Sequence, residues 1–201
     1  PGVNDAEVCC EADPQGFFVA LENGQPVGCC SAVVYEREFA FFGLFIVRPE
    51  WRKRGIGLQL TRAAMEHIGE CNCGLDGVVA MQSRYAEYGF QPAYRNIRHE
   101  GSCAGSRQEH VVPLEKLPFE ELEAYDRRHF PAPRREFLRG WVSQPGSAAL
   151  GYVRGGKLAG YGVLRPCRVG YKIGPLFADS DEIADTLFQS LCVGSYGASV
   201  Y

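Results

Sequence analysis

The segment from Phe41 to Ile68 constrains the fold of this chain more than any other. It opens with the apolar run Phe41-Phe42-Gly43-Leu44-Phe45-Ile46-Val47. It continues through Arg48-Pro49-Glu50-Trp51 and Arg52-Lys53-Arg54-Gly55-Ile56-Gly57, then settles into a helical pattern up to Ile68. A run of aromatic and β-branched residues suits a strand buried on both faces, and Pro49 ends it because proline donates no ladder hydrogen bond. Ile56, Leu60, Ala64 and Ile68 recur every four residues, so they share one face of a helix, with Gly69 as its C-terminal cap. The order is strand, basic glycine-containing loop, helix.

Such a loop can do either of two things. Gly55 and Gly57 carry no Cβ to hold a ligand away, so the first free N–H groups of the helix can face a phosphate, with Arg52, Lys53 and Arg54 adding positive charge. The same residues would equally serve a tight turn bearing a solvated basic face. The loop alone leaves both readings open.

The rest of the chain supplies context. Its 201 residues allow one large domain or two small ones. With 46% hydrophobic and 22% charged residues the composition is that of an ordinary globular protein able to bury a core. A net charge of −3, with no basic block outside Arg52–Arg54, gives nucleic-acid binding little electrostatic support. No apolar run reaches the ~20 residues of a membrane span and no signal-peptide pattern opens the chain, so a cytoplasmic protein is expected, with no membrane partner. The nine cysteines lack any C-x-x-C pair. They read as reduced, buried, small apolar residues, and no metal is expected.

Phe17–Leu21 reads as a strand, Glu22-Asn23-Gly24-Gln25 as a hairpin turn and Pro26–Tyr35 as the partner strand, after a loop over residues 1–15 with at most a helical turn. Gly74–Ala80 is expected as a short strand returning beside the first, because a crossover helix joins parallel neighbours. Gln82–Tyr88 fits a short helix ended by Gly89, and Gln91–Glu100 and Arg107–Leu114 read as further strands. After Pro113–Pro118 the pattern restarts with helices at Phe119–Arg128 and Arg134–Val142. A hairpin, a strand at Val169–Phe177 and a helix at Asp181–Cys192 then echo the first half. The boundaries implied are 1–112 for a first domain, 113–118 for a linker and 119–201 for a partial second domain.

With these elements in order the chain resembles the GCN5-related N-acetyltransferase (GNAT) family. Val47, Pro49, Arg52, Gly55 and Gly57 match its V-x-P-x-x-R-x-x-G-x-G signature, and Tyr85-Ala86-Glu87-Tyr88-Gly89-Phe90 matches a Y-x-x-x-G-F helix end. The resemblance covers residues ~15 to 112 well and Ala148–Cys192 loosely. It implies an α/β GNAT fold, a mixed and mostly antiparallel sheet flanked by helices, followed by a second, partial GNAT-like domain that lacks the glycine loop. Because the first strand comes early and the second domain lacks later strands, the resemblance implies a piece of a longer two-domain protein, whose activity on its own is left open.

The resemblance also implies the chemistry. Acetyl-CoA would be the cosubstrate, its pyrophosphate on the N–H groups of Arg54, Gly55, Ile56 and Gly57 with Arg52 and Lys53 adding charge beside them, and its pantetheine along Ile46 and Val47. The acetyl group would pass to a primary amine, on a small molecule or a peptide, by direct attack in a ternary complex. Val47 N–H is the implied oxyanion donor and Tyr85 the implied acid for the departing thiolate. Glu36, Glu38 and Asp76 are candidate bases, each equally readable as a solvated carboxylate, and His67, His99 and His110 are expected as ordinary surface or satisfied histidines. The alternative function is an acyl-CoA-binding or protein-interaction module without catalysis. Neither the oligomeric state nor the acceptor is legible.

Overall fold

A computed structural model describes residues 2–201. It divides into two compact units, one formed by residues 9–97 and the other by residues 98–201 with the residues up to Val8.

In the unit of residues 9–97, β1 (Phe17–Glu22), β2 (Gln25–Tyr35), β3 (Phe39–Val47) and β4 (Asn72–Leu75) form one sheet in the order β1-β2-β3-β4. The hairpin between β1 and β2 turns on Asn23 and Gly24, both at positive φ, as a two-residue loop with right-handed strand twist requires. The helix α2 (Ile56–Ile68) crosses from β3 to its parallel neighbour β4. Leu60, Ala64 and Ile68 are buried against Cys30, Ala32, Ala40 and Phe42 of the sheet, with Ile56 half-buried at the edge of the same cluster. The four-residue spacing thus becomes the sheet-facing stripe, each large side chain contributing roughly 1.5–3 kcal/mol on burial. The unit closes with α3 (Gln82–Glu87).

Four expected features differ here. A regular eight-residue helix, α1 (Asp5–Ala12), replaces the expected loop. The Asp5 carboxylate accepts the Gly2 N–H at 2.6 Å at the helix start, and Val8 is the one buried residue of the helix, so no apolar stripe announces it. The strand expected over Gly74–Ala80 stops at Leu75, where Asp76 and Gly77 give way to a short 3₁₀ turn at Val79–Met81. Gln91–Glu100 forms no strand, and Tyr94 and Ile97 lie 80% and 76% exposed. Only Val111–Pro113 of Arg107–Leu114 pairs as a strand. Apolar character without a backbone partner does not make a strand.

In the other unit, β5 (Gly101–Ser102), β6 (Val111–Pro113), α4 (Phe119–Asp126), α5 (Arg135–Val142), β7 (Ala148–Arg154), β8 (Lys157–Pro166), β9 (Tyr171–Ala178), α6 (Asp181–Cys192) and β10 (Ser199–Val200) follow one another. The sheet order is β5-β10-β9-β8-β7-β6. The second domain therefore does not stop at its helix: α6 returns the chain to β10, parallel to β9. This repeats the order β2-β3-α2-β4 as β8-β9-α6-β10. Ile183, Leu187 and Leu191 give α6 its buried face. On the opposite face of the sheet Asp126, 1% exposed, is gripped by Arg134 through both guanidinium arms and accepts the hydroxyl of the buried Tyr161.

Of the nine cysteines Cys30 and Cys192 are buried and the other seven half-buried. Burial raises the Cys30 thiol to about 11. No helix among the described residues is long and apolar enough to cross a membrane.

Candidate functional site

The candidate site begins where β3 outruns β4. Their parallel pairing runs from Phe39↔Asn72 to Phe42↔Leu75 and ends there, while β3 continues to Val47. From Gly43 onward the β4-facing edge of β3 has no strand partner, so its backbone donors and acceptors stand open. On the other side β3 carries one extra residue: Gly43 to Ile46 spans three steps against two from Ser31 to Cys29 on β2. Leu44 takes a positive φ of 48° at this bulge, which bends the strand just where the edge opens.

The bulge sets the direction of the groups beyond it. Arg48 N–H donates to Val27 C=O at 3.0 Å, so Arg48 faces β2. Alternate residues of an antiparallel pair face opposite ways, and Val47 therefore turns its N–H and C=O to the open edge. The Val47 carbonyl accepts the Arg52 Nε at 3.0 Å, which ties the loop to the strand end.

The loop then feeds α2. Lys53 and Gly55 take φ of 62° and 80°, and Gly55 is the N-terminal cap. Because the Gln59 N–H is bonded to Gly55 C=O, the N–H groups of Ile56, Gly57 and Leu58 are the helix donors without a partner in the helix. A Cβ at Gly55 would meet nothing within 4 Å, whereas one at Gly57 would lie 3.1 Å from Phe45 Cζ. Gly57 thus lets the helix start lie against Phe45, and Gly55 permits the left-handed turn. Arg54 lies over the Trp51 ring, 4.6 Å from its centroid. Arg52, Lys53 and Arg54 are exposed, and among the described residues no carboxylate forms an ion pair with any of them. Three uncompensated cations and three free N–H groups at a helix start fit a phosphate-bearing ligand.

Tyr85 sits on α3, and a Cβ added at Gly77 would come within 2.5 Å of its Cε2. Gly77 therefore makes room for the Tyr85 ring against the chain leaving β4, at the end of the sheet where β3 and β4 separate. Gly89, at φ 86°, and the Phe90 N–H bond to Tyr85 C=O close the helix behind it, while Tyr88 is 44% exposed.

Glu36 and Glu38 lie in the turn before β3. Eight residues of strand separate that turn from Val47, about 26 Å at the usual rise, so neither carboxylate lies near the open edge. Asp76 is at the end of the sheet where β3 and β4 separate, exposed, and accepts the Asn96 amide at 2.9 Å. His67 is bonded to Asp13 at 2.8 Å, and Asp13 also accepts the Val34 N–H. His110 stacks edge-on with Tyr152, and His99 is exposed. Leu44, Phe45, Trp51 and Leu58 join the site although the motif did not single them out. A bulge leaves no mark in the sequence of one strand, because it is a property of the pairing. Among the described residues no cluster of three His, Cys, Asp or Glu could hold a metal ion.

The second unit repeats the bulge but not the loop. Ile173 to Leu176 on β9 spans three steps against two on β8, and β10 pairs with β9 only at Tyr171. Gly174-Pro175 lies within β9, which runs on to Ala178. The link to α6 has shrunk to Asp179-Ser180, Ser180 caps the helix by accepting the Ile183 N–H, and Asp181 and Glu182 occupy its first turn. A capped, acidic helix start repels an anion. The carbonyl at the bulge, Gly174 C=O, is taken up by Trp141 Nε1 and Arg165 Nε at 3.0 and 3.1 Å.

Comparison with known proteins agrees with this geometry. Two models of the acetyltransferase (GNAT) domain match the chain, one over residues 13–92 and the other over residues 122–201. The holothin acyltransferase of Pseudoalteromonas sp. (strain SANK 73390) is 29% identical over 189 residues, 93% of this chain and 64% of the relative. The uncharacterized N-acetyltransferase YitH of Bacillus subtilis (strain 168) is 22% identical over 91% of this chain and 67% of its own. The chain thus spans about two thirds of the length of these curated relatives. An acetyltransferase-like structure from Pyrococcus horikoshii matches 98% of the chain and 66% of its own with a TM-score of 0.77 at 23% identity, which shows a shared fold. Two GNAT domains in tandem, one carrying the complete glycine loop and one without it, make this chain a member of the GNAT acetyltransferase family.

Proposed function

We propose that the unit of residues 9–97 binds an acyl-coenzyme A, acetyl-CoA in the simplest case, and transfers its acyl group to a primary amine. The observation that carries this reading is the continuity of one path. The open edge of β3 from Gly43 to Val47 leads directly into the free N–H groups at the start of α2.

In this reading Ile56, Gly57 and Leu58 hold the pyrophosphate through backbone N–H groups, with Arg52, Lys53 and Arg54 supplying charge. The open edge at Val47 receives the pantetheine, while Ile46, for which the sequence suggested the same role, faces β2 as Arg48 does; the thioester is thereby fixed and an amine brought alongside reacts as if intramolecular. The thioester supplies an activated acyl carbon. As the amine nitrogen bonds to that carbon, Val47 N–H donates to the oxyanion. When the carbon–sulfur bond breaks, Tyr85 gives its phenol proton to the sulfur, the attacking nitrogen gives its surplus proton to water, and a proton from water restores the Tyr85 phenol. Asp76 is the one acidic candidate at the correct end of the sheet. The need for an acyl-CoA and a cysteine set without any C-x-x-C pair fit a cytoplasmic setting.

The acceptor is a small-molecule or peptide amine, and the relative named for acylating holothin makes holothin the first to test. The decisive experiment pairs acetyl-CoA binding by calorimetry with thiol release over an amine panel. Binding with release supports the enzyme. Binding without release by the full-length protein leaves the acyl-CoA-binding module; for the second unit the capped, acidic helix start speaks against phosphate binding and favours a protein-interaction role.

A further inference from the structure

The three cations of the basic loop are held in different ways. Arg52 is tied to Val47 C=O through its Nε at 3.0 Å, and Lys53, at a φ of 62°, turns the chain and stays exposed. Arg54 instead lies on an aromatic face, its guanidinium carbon 4.6 Å from the Trp51 ring centroid. The backbone builds that platform before any ligand arrives. Trp51 closes the 3₁₀ turn Pro49–Trp51 with its N–H on Arg48 C=O at 2.9 Å, and its side chain is half-buried while the three basic residues after it are exposed. Among the described residues no carboxylate pairs with Arg54.

An indole is the partner that orders an arginine without spending it. A free arginine side chain gives up rotamer freedom when it grips an anion, and that loss subtracts from affinity. A carboxylate partner would remove the loss in advance, but it would cancel the charge and occupy the donors. A π face attracts the cation and leaves its in-plane N–H groups available. Arg54 is therefore held, charged and unspent one residue before the cap Gly55 and the free N–H groups of Ile56, Gly57 and Leu58. We propose that Trp51 is a positioning residue for acyl-CoA binding, its ring holding Arg54 ready for the phosphates and acting on the ligand through that guanidinium alone. The proposal rests on the loop being the acyl-CoA phosphate site and adds to it a residue that the glycine signature leaves unspecified.

The competing role for Trp51 is packing of the turn, which would affect the ligand whether or not Arg54 is present. Acetyl-CoA calorimetry on the full chain, in a cycle of Trp51→Leu and Arg54→Ala, separates the two. Trp51→Leu should weaken binding about fivefold and Arg54→Ala about tenfold, while the double variant should bind as Arg54→Ala does. Trp51→Phe keeps an aromatic face and should lose no more than about twofold. A second cycle guards against misfolding of the leucine variant. Fluorinated tryptophan keeps the ring's shape and draws electron density from its face, so it should cost about twofold with Arg54 present and nothing in Arg54→Ala. Trp141, the other tryptophan of the chain, is substituted equally in both backgrounds and cancels. Losses that multiply in the double variant, or fluorination with the same effect in both backgrounds, would overturn the positioning role while leaving the phosphate site in place. Absence of acetyl-CoA binding by the unaltered chain would overturn both readings.

Discussion

Arg52 Nε and the carbonyl oxygen of Val47 lie 3.0 Å apart, joining the basic loop to the last residue of the strand it leaves. The bond fixes the Val47 peptide from its carbonyl side. It also uses one arm of a side chain whose remaining N–H groups stay free for an anion.

Arg52→Ala should therefore lower acetyl-CoA affinity about tenfold, the usual cost of one charge-assisted hydrogen bond, with a stability loss below about 1 kcal/mol at so exposed a position. Arg52→Lys should not restore it, because lysine has no Nε to reach Val47 while presenting a fork to the ligand. Calorimetry and urea denaturation on the two variants check both parts. An affinity unchanged in both variants removes Arg52 from the site.

Gly57 faces Phe45, whose ring is 43% exposed and free to shift when a Cβ arrives at 3.1 Å. Gly57→Ala should fold and bind acetyl-CoA less tightly. Gly57→Glu should fold and lose binding altogether, since it sets a negative charge at the helix start. Unchanged affinity in the glutamate variant would falsify the loop as the phosphate site.

Tyr85→Phe keeps the ring that Gly77 accommodates and removes only the hydroxyl. Turnover should fall a hundredfold or more while acetyl-CoA affinity stays within twofold, as expected for loss of a general acid. Thiol-release kinetics across pH decide it. Equal turnover moves the acid role to another group.

The Asp126, Arg134 and Tyr161 network lies outside the proposed acyl-CoA site and predicts stability instead. Arg134→Leu strands a buried carboxylate and should cost about 3–5 kcal/mol. Tyr161→Phe leaves one Asp126 oxygen with a partner fewer and should cost about 1–3 kcal/mol. Chemical denaturation of both variants measures these losses, and a near-zero cost for Arg134→Leu would show that Asp126 is not held as a buried charge.

Alkaline pH should unfold the protein earlier than a generic surface would. Burial raises Cys30 and Cys73 from 9.0 to about 11, and Cys192 to about 12 with help from Cys103. Tyr161 and Tyr125 are raised above 10.0, by burial first and then, respectively, by Asp126 and by Asp179. In each case the folded state favours the protonated form. The associated stability is complete below about pH 9 and is lost as pH climbs toward 11 and beyond. Urea midpoints measured from pH 7 to 11 should be level at first and then fall. A midpoint that stays flat to pH 11 contradicts the burial of these groups.

Much of the fold was legible because short-range physics wrote it. Asn23-Gly24 specified the hairpin, Pro49 the end of β3, and the spacing Leu60, Ala64, Ile68 the buried face of α2. The order strand, glycine loop, helix and a tyrosine helix end pointed to the family before any distance was known. Elements fixed by a partner were not legible. Helix α1 buries one residue, Val8, and has no apolar stripe to announce it, β10 exists only because β9 offers an edge, and Gln91–Glu100 stays irregular for want of one.

The sequence by itself determined that a basic loop with Gly55 and Gly57 stands between a buried strand and an amphipathic helix, since chain connectivity and backbone freedom are local. Tertiary structure decided how that loop can act. The bulge at Leu44 and the early end of β4 leave Val47 facing an open edge, and Phe45 sets how closely Gly57 packs. The same pairing physics left the second unit with a bulge whose carbonyl is taken up by Trp141 and Arg165 and a helix start sealed by Ser180. Strand pairing is a relation between distant segments, so its consequences appear only when the chain has folded.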